Sequence, residues 1–437
     1  MIFKPLTPRM RQIPARRSAV LSVVDVGASK IVCLIARLTP MERGDTLRGR
    51  THRAKVLGVG HQRSRGVKAG AIVDLEQAEG AIRLAIDAAE RMAGAEVQSI
   101  IVNMSGGRLS SQRLAAKIAV RNRTVGEYEM HRVIEAASAA NSQPGRAALH
   151  AIATGFRLDA QTDIRDPRGM VGEELGAELA VASCDAAAAR NLMLAIERCH
   201  LKVEAMVASP YASGLSSLVD DEAEIGAALV DFGGGSTTIG VFHNDRLTHV
   251  DAIAVGGNHV TMDVARGLSV SLADAERLKT LYGACISSPS DDRETIAVHR
   301  AGDDPDHPSY LPKSDLVRII RPRVEEILEL VRERLKAAGH SALVGRRLVL
   351  TGGASQLTGL PELARTIVSP HARVGRPLGV EGLPESAKTP AFSTAVGLLI
   401  YPQVAGLEHF EPGRAVTQAV PDDGYVARVG RWLKQSF

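Results

Sequence analysis

Two short stretches of this 437-residue chain have the same residue types at the same spacing. Residues 24–36 read VDVGASKIVCLIA and residues 230–242 read VDFGGGSTTIGVF, so Asp25 and Asp231, and Gly27 and Gly233, stand at equivalent places. In each copy an apolar strand ends in Asp-x-Gly, crosses a tight turn of small residues and enters a β-branched strand. Small residues let successive backbone N–H groups come close to an anion and form a concavity for it. Gly27, Ala28, Ser29 and Lys30 supply that turn in the first copy, and Gly233, Gly234, Gly235, Ser236 and Thr237 in the second. Ser29, Ser236 and Thr237 add hydroxyl donors, and Lys30 adds a positive charge. The aspartates at the strand ends, Asp25 and Asp231, suit Mg2+, which keeps most of its waters and takes few carboxylates. One such hairpin alone is what any tight turn looks like. Two matching copies facing each other would clamp a triphosphate from both sides. The turn joins strand to strand, which separates it from a P-loop or dinucleotide fold, where the glycine turn opens a helix.

A third piece is RRLVLTGGASQLTGLPEL, residues 346–363. Its apolar strand runs into Thr351, Gly352, Gly353 and Ala354, and a helix is expected from about Pro361. A strand ending in a double glycine lets a flat ring lie on the backbone, as an adenosine needs; a plain strand-to-helix turn reads the same way. In SLADAERLKTLYG, Glu276 and Lys279 lie three apart and share one helix face, as any i,i+3 ion pair does.

Elements that position these residues follow from periodicity. Strands are expected near 19–26, 31–38 and 54–61, then a helix through Ile82, Ala85, Ile86 and Ala89, then a strand in VQSIIVNMSG. Residues 105–180 mix short strands with the helix EMHRVIEAASAA. DAAAARNLMLAIERCH reads as a helix, KVEAMVASP as a strand, and a helix after Ser209 joins the two halves. Residues 286–313 read as a loop around one short strand. SDLVRIIRPRVEEILELVRERLKAAG reads as a long amphipathic helix capped by Ser314 and kinked or divided at Pro322.

Composition excludes several classes. Lys+Arg 53 against Asp+Glu 49 gives a net charge of only +4, too balanced for a nucleic-acid binder. Four scattered cysteines show no zinc or redox spacing, so reduced thiols are expected. No run of about 18 apolar residues stands out as a membrane span. The basic N-terminal segment, residues 1–17, reads as a disordered tail.

Two phosphate hairpins followed by the TGG turn, in this order, resemble the actin/Hsp70/sugar-kinase ATPase superfamily. Within it, SRGVKAGAIVDLEQAEGAIRLAIDAAERMAG, VDFGGGSTTIGVF, LTGGASQLTGL and STAVGLL are similar to the FtsA family of bacterial cell-division proteins. The resemblance covers about residues 20–402 and resumes in the last residues. It implies an α/β, actin-like (ribonuclease H-like), two-lobed ATPase fold with an inserted subdomain and a C-terminal amphipathic helix. It implies ATP and Mg2+ as ligands and places the Glu276/Lys279 pair near the adenosine. The implied divisions are a first lobe at 18–104 (with 181–209 and 390–402), the insert at 105–180, and a second lobe at 210–256 (with 346–389). A small lobe follows at 257–345, a linker at 403–424 and a terminal helix at 425–437. The insert is expected to contact the homopolymer or other division proteins. Arg318, Arg321 and Arg323 are expected to meet the acidic–apolar C-terminal tail of FtsZ.

The last residues, YVARVGRWLKQSF, hold the chain's one tryptophan. Tyr425, Val426, Val429, Trp432, Leu433 and Phe437 follow one helical face, while Arg428, Arg431 and Lys434 occupy the rest. A basic face opposite Trp, Leu and Phe is how a helix lies in an anionic membrane interface. The implied role is an ATP-binding protein that polymerises and tethers FtsZ to the cytoplasmic face of the inner membrane at the septum. The connecting junction VASPYASGLSSL has no carboxylate or amide to orient water, so slow or negligible hydrolysis is expected. A sugar or acetate kinase would need a substrate base, and a chaperone a further domain. An FtsA-like pilus-assembly protein is the nearest rival and is expected to lack the basic amphipathic terminus.

Overall fold

The structure is a computed structural model that describes residues 7–41, 50–139, 143–300, 308–340 and 347–408. The linker beyond Glu408 and the terminal segment Tyr425–Phe437 lie outside the described residues.

The sequence repeat is an architectural repeat. In the first sheet, strands Ala19–Val26, Lys30–Pro40 and His52–Arg63 form an antiparallel meander. Ser99–Met104 and then Lys202–Ala208 add in parallel on the other side of Ala19–Val26. In the second sheet, Ala227–Phe232, Thr237–His243 and Arg246–Ile253 form the same meander. Leu348–Thr351 and Ala372–Val374 add in parallel in the same order. In each sheet the first strand is buried between a hairpin partner and a parallel neighbour. That environment explains its near-continuous apolar run up to the aspartate.

Helix Leu75–Ala93 starts at Asp74, whose side chain accepts from the Gln77 N–H, and ends at Gly94 in the left-handed region. It lays Ile82, Ala85, Ile86 and Ala89 on the first sheet. The lobes meet where the connecting helix Ser209–Ser217 crosses the apolar helix Ser393–Val404. A Cβ on Gly397 would stand 1.7 Å from the Ala212 carbonyl oxygen, so the crossing requires glycine. The segment Pro390–Leu407 is long and apolar enough for a membrane span, yet 78% of that window is buried inside the protein. It is the core helix of the lobe junction.

Residues 105–185 form a unit with its own apolar core, and its strands are long, not short. Ser110–Thr124, Arg146–Leu158 and Val171–Asp185 have 15, 13 and 15 residues. Helix Glu127–Ala139 packs Val133, Ile134 and Ala137 on one face of that sheet. A single bridge, Ser110 to Asp251, joins this sheet to that of the second lobe. Helices Gly257–Leu268, Leu272–Tyr282 and Lys313–Ala337 share one apolar core with the second sheet.

Four expectations need correction. Residues 7–17 are ordered: Met10 and Ile13 are 4% exposed, and the Ile13 N–H donates to the Pro402 carbonyl. Two buried apolar residues three apart, the pair of Arg9 with Glu408, and hydrogen bonds from Thr7 to the Ala148 carbonyl and from the Met206 N–H to the Pro8 carbonyl hold this basic segment. Residues 286–312 carry two short strands, Thr295–Val298 and Ser309–Pro312, which pair with each other. Helix Lys313–Ala337 begins after Pro312 with no side-chain cap, and Ser314 lies inside it. It runs unbroken for 25 residues through Pro322. Pro322 lies on the exposed side, where solvent can satisfy the carbonyl that loses its donor.

Candidate functional site

Both hairpin turns close with the same bond. The Gly27 N–H donates to the Lys30 carbonyl and the Gly233 N–H to the Ser236 carbonyl, each at 3.0 Å. A Cβ on Gly27 would stand 2.9 Å from that Lys30 oxygen, and one on Gly233 2.7 Å from that of Ser236. The two glycines are therefore required by the same close approach. The turns face each other: a Cβ on Gly235 would meet the Ala28 Cβ at 2.6 Å, and one on Gly234 the Ser29 Cβ at 2.9 Å. Between them and the TGG turn lies a cavity of about 120 Å3. Asp25, Gly27, Ala28, Ser29, Lys30, Asp231, Gly233, Gly234, Gly235, Ser236, Gly352 and Gly353 all line it.

The carboxylates sit at the base of this cavity, 7% and 8% exposed. Burial pushes the Asp25 carboxyl up to about 7, against the pull of Lys30 and with a further push from Asp231. Burial likewise raises Asp231, although Ser213, Thr394 and Lys30 favour its charged form. Asp231 Oδ2 accepts from Ser213 at 2.6 Å and from Thr394 at 3.0 Å, so hydroxyls from both crossing helices fix its orientation. Burial lowers the Lys30 ammonium to about 8, with Asp25 and Asp231 opposing. Lys30 hydrogen-bonds the Ala391 carbonyl and lies 3.7 Å from the Phe392 ring centroid.

A second cavity, of about 420 Å3, adjoins the first and shares Ser29, Gly234 and Gly353 with it. Glu276, Lys279 and Ala354 line it, while Leu281, Val324, Ile327, Leu357 and Leu360 make it apolar. Lys279 Nζ binds Glu276 Oε2 at 2.6 Å, Thr261 Oγ1 at 2.9 Å and the Gly257 carbonyl at 3.2 Å. The pair is thus a fixed part of the cavity wall. The TGG turn reaches this wall because Gly352 has φ +86°, and a Cβ there would lie 2.3 Å from Asp231 Oδ1.

Thr237 does not join the site. It is fully buried, and its hydroxyl donates to the Val255 carbonyl at 2.8 Å. Strand side chains alternate, so Thr238, paired with Asp231 across the ladder, takes its place in the cavity wall. Arg318, Arg321 and Arg323 are paired with Asp315, Glu325 and Asp263, respectively. Through Asp263, Arg323 braces helix Lys313–Ala337 against Gly257–Leu268, and it also binds Glu326 on its own helix. The three do not form one cluster of unpaired cations.

Some site residues had no motif to mark them. Asn103 ends a parallel strand and lines the cavity; its Oδ1 accepts from the Val26 N–H at 2.7 Å, and its Nδ2 donates to Ser209 Oγ at 3.0 Å. Ser105 and Ser209 sit at the carboxyl ends of neighbouring parallel strands, the edge where open α/β sheets gather ligands. That rule was the available signal. The N–H groups of Gly257 and Asn258, opening a helix, donate to the Gly233 and Gly234 carbonyls and hold the second hairpin in place.

The residues present fit a magnesium nucleotide. The Thr238 hydroxyl is buried in the cavity wall with no partner among the described residues, which a bound polar group would satisfy. Two carboxylates and many small-residue N–H groups suit a mostly hydrated Mg2+ and an anion. No group of three metal-ligating side chains exists among the described residues.

Comparison with known proteins agrees with this architecture. Residues 228–397 match the family model for cell division protein FtsA, and residues 106–183 match that for the SHS2 domain inserted in FtsA. Cell division protein FtsA of Rhizobium meliloti (strain 1021) is 51% identical over 431 residues, 98% of each chain. That of Escherichia coli (strain K12) is 31% identical over 422 residues, covering 95% of this chain and 97% of that one. Among solved structures, the PilM-PilN type IV pilus biogenesis complex aligns at TM-score 0.58 and 15% identity, over 90% of this chain and 99% of that chain. MreB5 of Spiroplasma citri, solved with ADP, aligns at TM-score 0.52 and 12% identity, over 90% and 98%. At such identities these two show the fold alone, which is actin-like. The identity that runs through both lobes and the insert goes instead to the division proteins, and the chain belongs to the FtsA family of cell division proteins.

Proposed function

We propose that this division protein binds ATP with Mg2+ between its two lobes and uses the nucleotide as an assembly ligand, with slow or negligible hydrolysis. The observation that carries this reading is the pair of identically closed hairpins facing each other over Asp25 and Asp231, with a Thr238 hydroxyl in the cavity wall that has no partner among the described residues. Backbone N–H groups of residues 28–29 and 234–236 would hold the phosphates from both sides, and Lys30 would exchange the Ala391 carbonyl for a phosphate oxygen. Asp25 and Asp231 would hold Mg2+ through its waters, and Mg2+ would supply positive charge to offset the phosphates. Glu276, Lys279 and the turn at Gly352, Gly353 and Ala354 would hold the adenosine. At the lobe junction Ser209 carries no charge and both polar ends of Asn103 are already engaged, so the cavity's carboxylates are Asp25 and Asp231, read here as the holders of Mg2+. That arrangement supports binding over turnover.

The same proposal includes a polymer of the chain, contacts of residues 105–180 with other division proteins, and docking of the FtsZ tail on the small lobe beside Arg318, Arg321 and Arg323. It also includes attachment to the cytoplasmic face of the inner membrane at the septum through residues 425–437. Three basic residues near an anionic leaflet contribute at most about 1 kcal/mol each. Each buried large side chain adds about 1.5–3 kcal/mol. Ordering the helix subtracts from the sum. One tail therefore holds reversibly, and a polymer presenting many tails holds firmly.

Co-sedimentation with anionic liposomes tests the reading, comparing the full chain with a truncation ending at Asp423, with and without Mg·ATP. The full chain is expected to pellet more with Mg·ATP, and the truncation to stay soluble. Equal behaviour of the two chains would contradict the membrane assignment.

A further inference from the structure

Four distant segments meet at a buried ion pair behind the nucleotide cavity. Arg9 Nη1 lies 2.9 Å from Glu408 Oε2, with side chains 4% and 5% exposed. Arg9 Nη2 donates to the Ala148 carbonyl at 2.7 Å, on the first long strand after the insert's helix. Glu408 Oε1 lies 2.8 Å from His150 Nδ1 on that same strand. The other ring nitrogen, His150 Nε2, lies 2.8 Å from the backbone nitrogen of Ala208. Tyr401 also hydrogen-bonds the Glu408 carboxylate.

The chemistry fixes the direction of this chain of bonds. A backbone N–H can only donate, so His150 Nε2 must accept. Nδ1 then carries the ring proton and donates a hydrogen bond to Glu408. Glu408 thereby selects the tautomer that can hold Ala208. The next residue, Ser209, lines the phosphate cavity and is held from the other side by Asn103. The His150 ring also stands edge-on to Tyr211, two residues further along, with centroids 4.9 Å apart. His150 therefore grips the start of the connecting helix at two points on either side of Ser209.

A buried ion pair is poor evidence for stability, since apolar residues of the same volume often serve as well. What an apolar pair cannot supply is an acceptor for Nδ1–H. We infer that Glu408 and His150 are positioning residues for the nucleotide site. Glu408 orders His150, His150 orders Ala208–Ser209, and so the cavity is complete only when the N-terminal strap, the insert and the end of the last helix are all docked. This rests on the nucleotide reading above and adds to it: nucleotide affinity depends on the root from which residues 409–437 emerge. By reciprocity, bound nucleotide steadies that root.

Two variants separate positioning from mere packing. Both carry Arg9→Met and Tyr401→Phe, so that neither a charge nor a hydroxyl is left alone, and they differ only at one residue: Glu408→Gln or Glu408→Leu. The glutamine keeps an acceptor for Nδ1–H and the leucine does not. In full-length protein, Mg·ATP titration is expected to give the Gln variant an affinity within about threefold of the unsubstituted chain. The Leu variant, which also leaves the buried Nδ1–H unpaired and is expected to melt somewhat lower, is expected to bind at least tenfold more weakly than the Gln variant when both are titrated well below their melting temperatures. Equal affinity of the Leu and Gln variants would overturn the inference. A measurement on the unsubstituted chain stands beside this one in case the Leu variant does not fold. Saturating Mg·ATP is expected to slow hydrogen exchange across residues 402–408, and unchanged exchange there would also overturn the inference. If the unsubstituted chain binds no nucleotide at all, the site reading itself fails and this inference with it.

Discussion

Replacing Asp25 with Asn should strengthen the nucleotide-free fold at high pH while removing the Mg2+-dependent part of nucleotide binding. Asp25 has no charge-neutral surroundings: burial holds its carboxyl at about 7, with Lys30 attracting and Asp231 repelling the ion. The folded value lies above the unfolded one, so this group favours folding below about pH 4 and loses that contribution as pH rises through about 7. Each tenfold change in the ionisation equilibrium is about 1.4 kcal/mol, so keeping the ion buried at pH 8 costs the folded state up to about 4 kcal/mol. The attraction to Lys30 is already contained in that shift, so Asp25→Asn is expected to stabilise the nucleotide-free fold at pH 8 by at most about 4 kcal/mol. At pH 4 wild type and variant should melt together. The assay is thermal denaturation at pH 4 and pH 8, with and without Mg·ATP at pH 8. Wild type is expected to gain from Mg·ATP, and the variant to melt a few degrees higher alone but gain little. A variant that melts lower at pH 8, yet keeps the full Mg2+-dependent gain, would refute the assignment of Asp25 as a carboxylate kept in place for the ligand.

Further consequences follow from particular contacts. Thr238→Val removes a hydroxyl that has no partner among the described residues, so the free protein should be unchanged or more stable, while nucleotide affinity falls by about 0.5–1.5 kcal/mol in titration. Thr237→Val behaves in the opposite way: it breaks the bond to the Val255 carbonyl and should cost stability of about 1–3 kcal/mol, read by denaturant unfolding, with affinity in the folded fraction little changed. Gly352→Ala forces a Cβ to within 2.3 Å of Asp231 Oδ1 at a positive φ, and nucleotide binding should be lost in the same titration. On the small lobe, Arg318→Gln and Arg321→Gln should weaken binding of an FtsZ tail peptide with little change in melting temperature, since each loses only an exposed ion pair. Arg323→Ala should lower that temperature, because Arg323 ties two helices through Asp263.

The paired hairpins were legible because their signal is local. Apolar strands, an obligatory small turn and an aspartate at a fixed offset recur within thirteen residues, and the same i→i+3 closure satisfies both turns. Placing Thr237 in the site was a parity error. A turn does not reveal which residue of the outgoing strand faces inward, and only the ladder pairing of Asp231 with Thr238 does. Asn103 and Ser209 were hidden because parallel strands bring them together from 106 residues apart. Arg9 and Glu408, 399 residues apart, are further beyond any local pattern, which is why residues 1–17 read as a disordered tail. Pro322 does not divide the helix. It costs one backbone bond and crowds the preceding turn, but it lies on the exposed side while Leu316, Ile320, Val324 and Ile327 keep the helix packed from the other, an exposure that sequence does not show directly.

The account rests most directly on nucleotide occupancy of the cavity between the two hairpins. Equilibrium titration of the full chain with ATP, in Mg2+ and again in EDTA, measures it. One site per chain, tighter by at least tenfold in Mg2+ than in EDTA, is the predicted result. Absence of saturable binding in Mg2+, or binding indifferent to the metal, would contradict the assignment of Asp25 and Asp231 and of the clamp built around them.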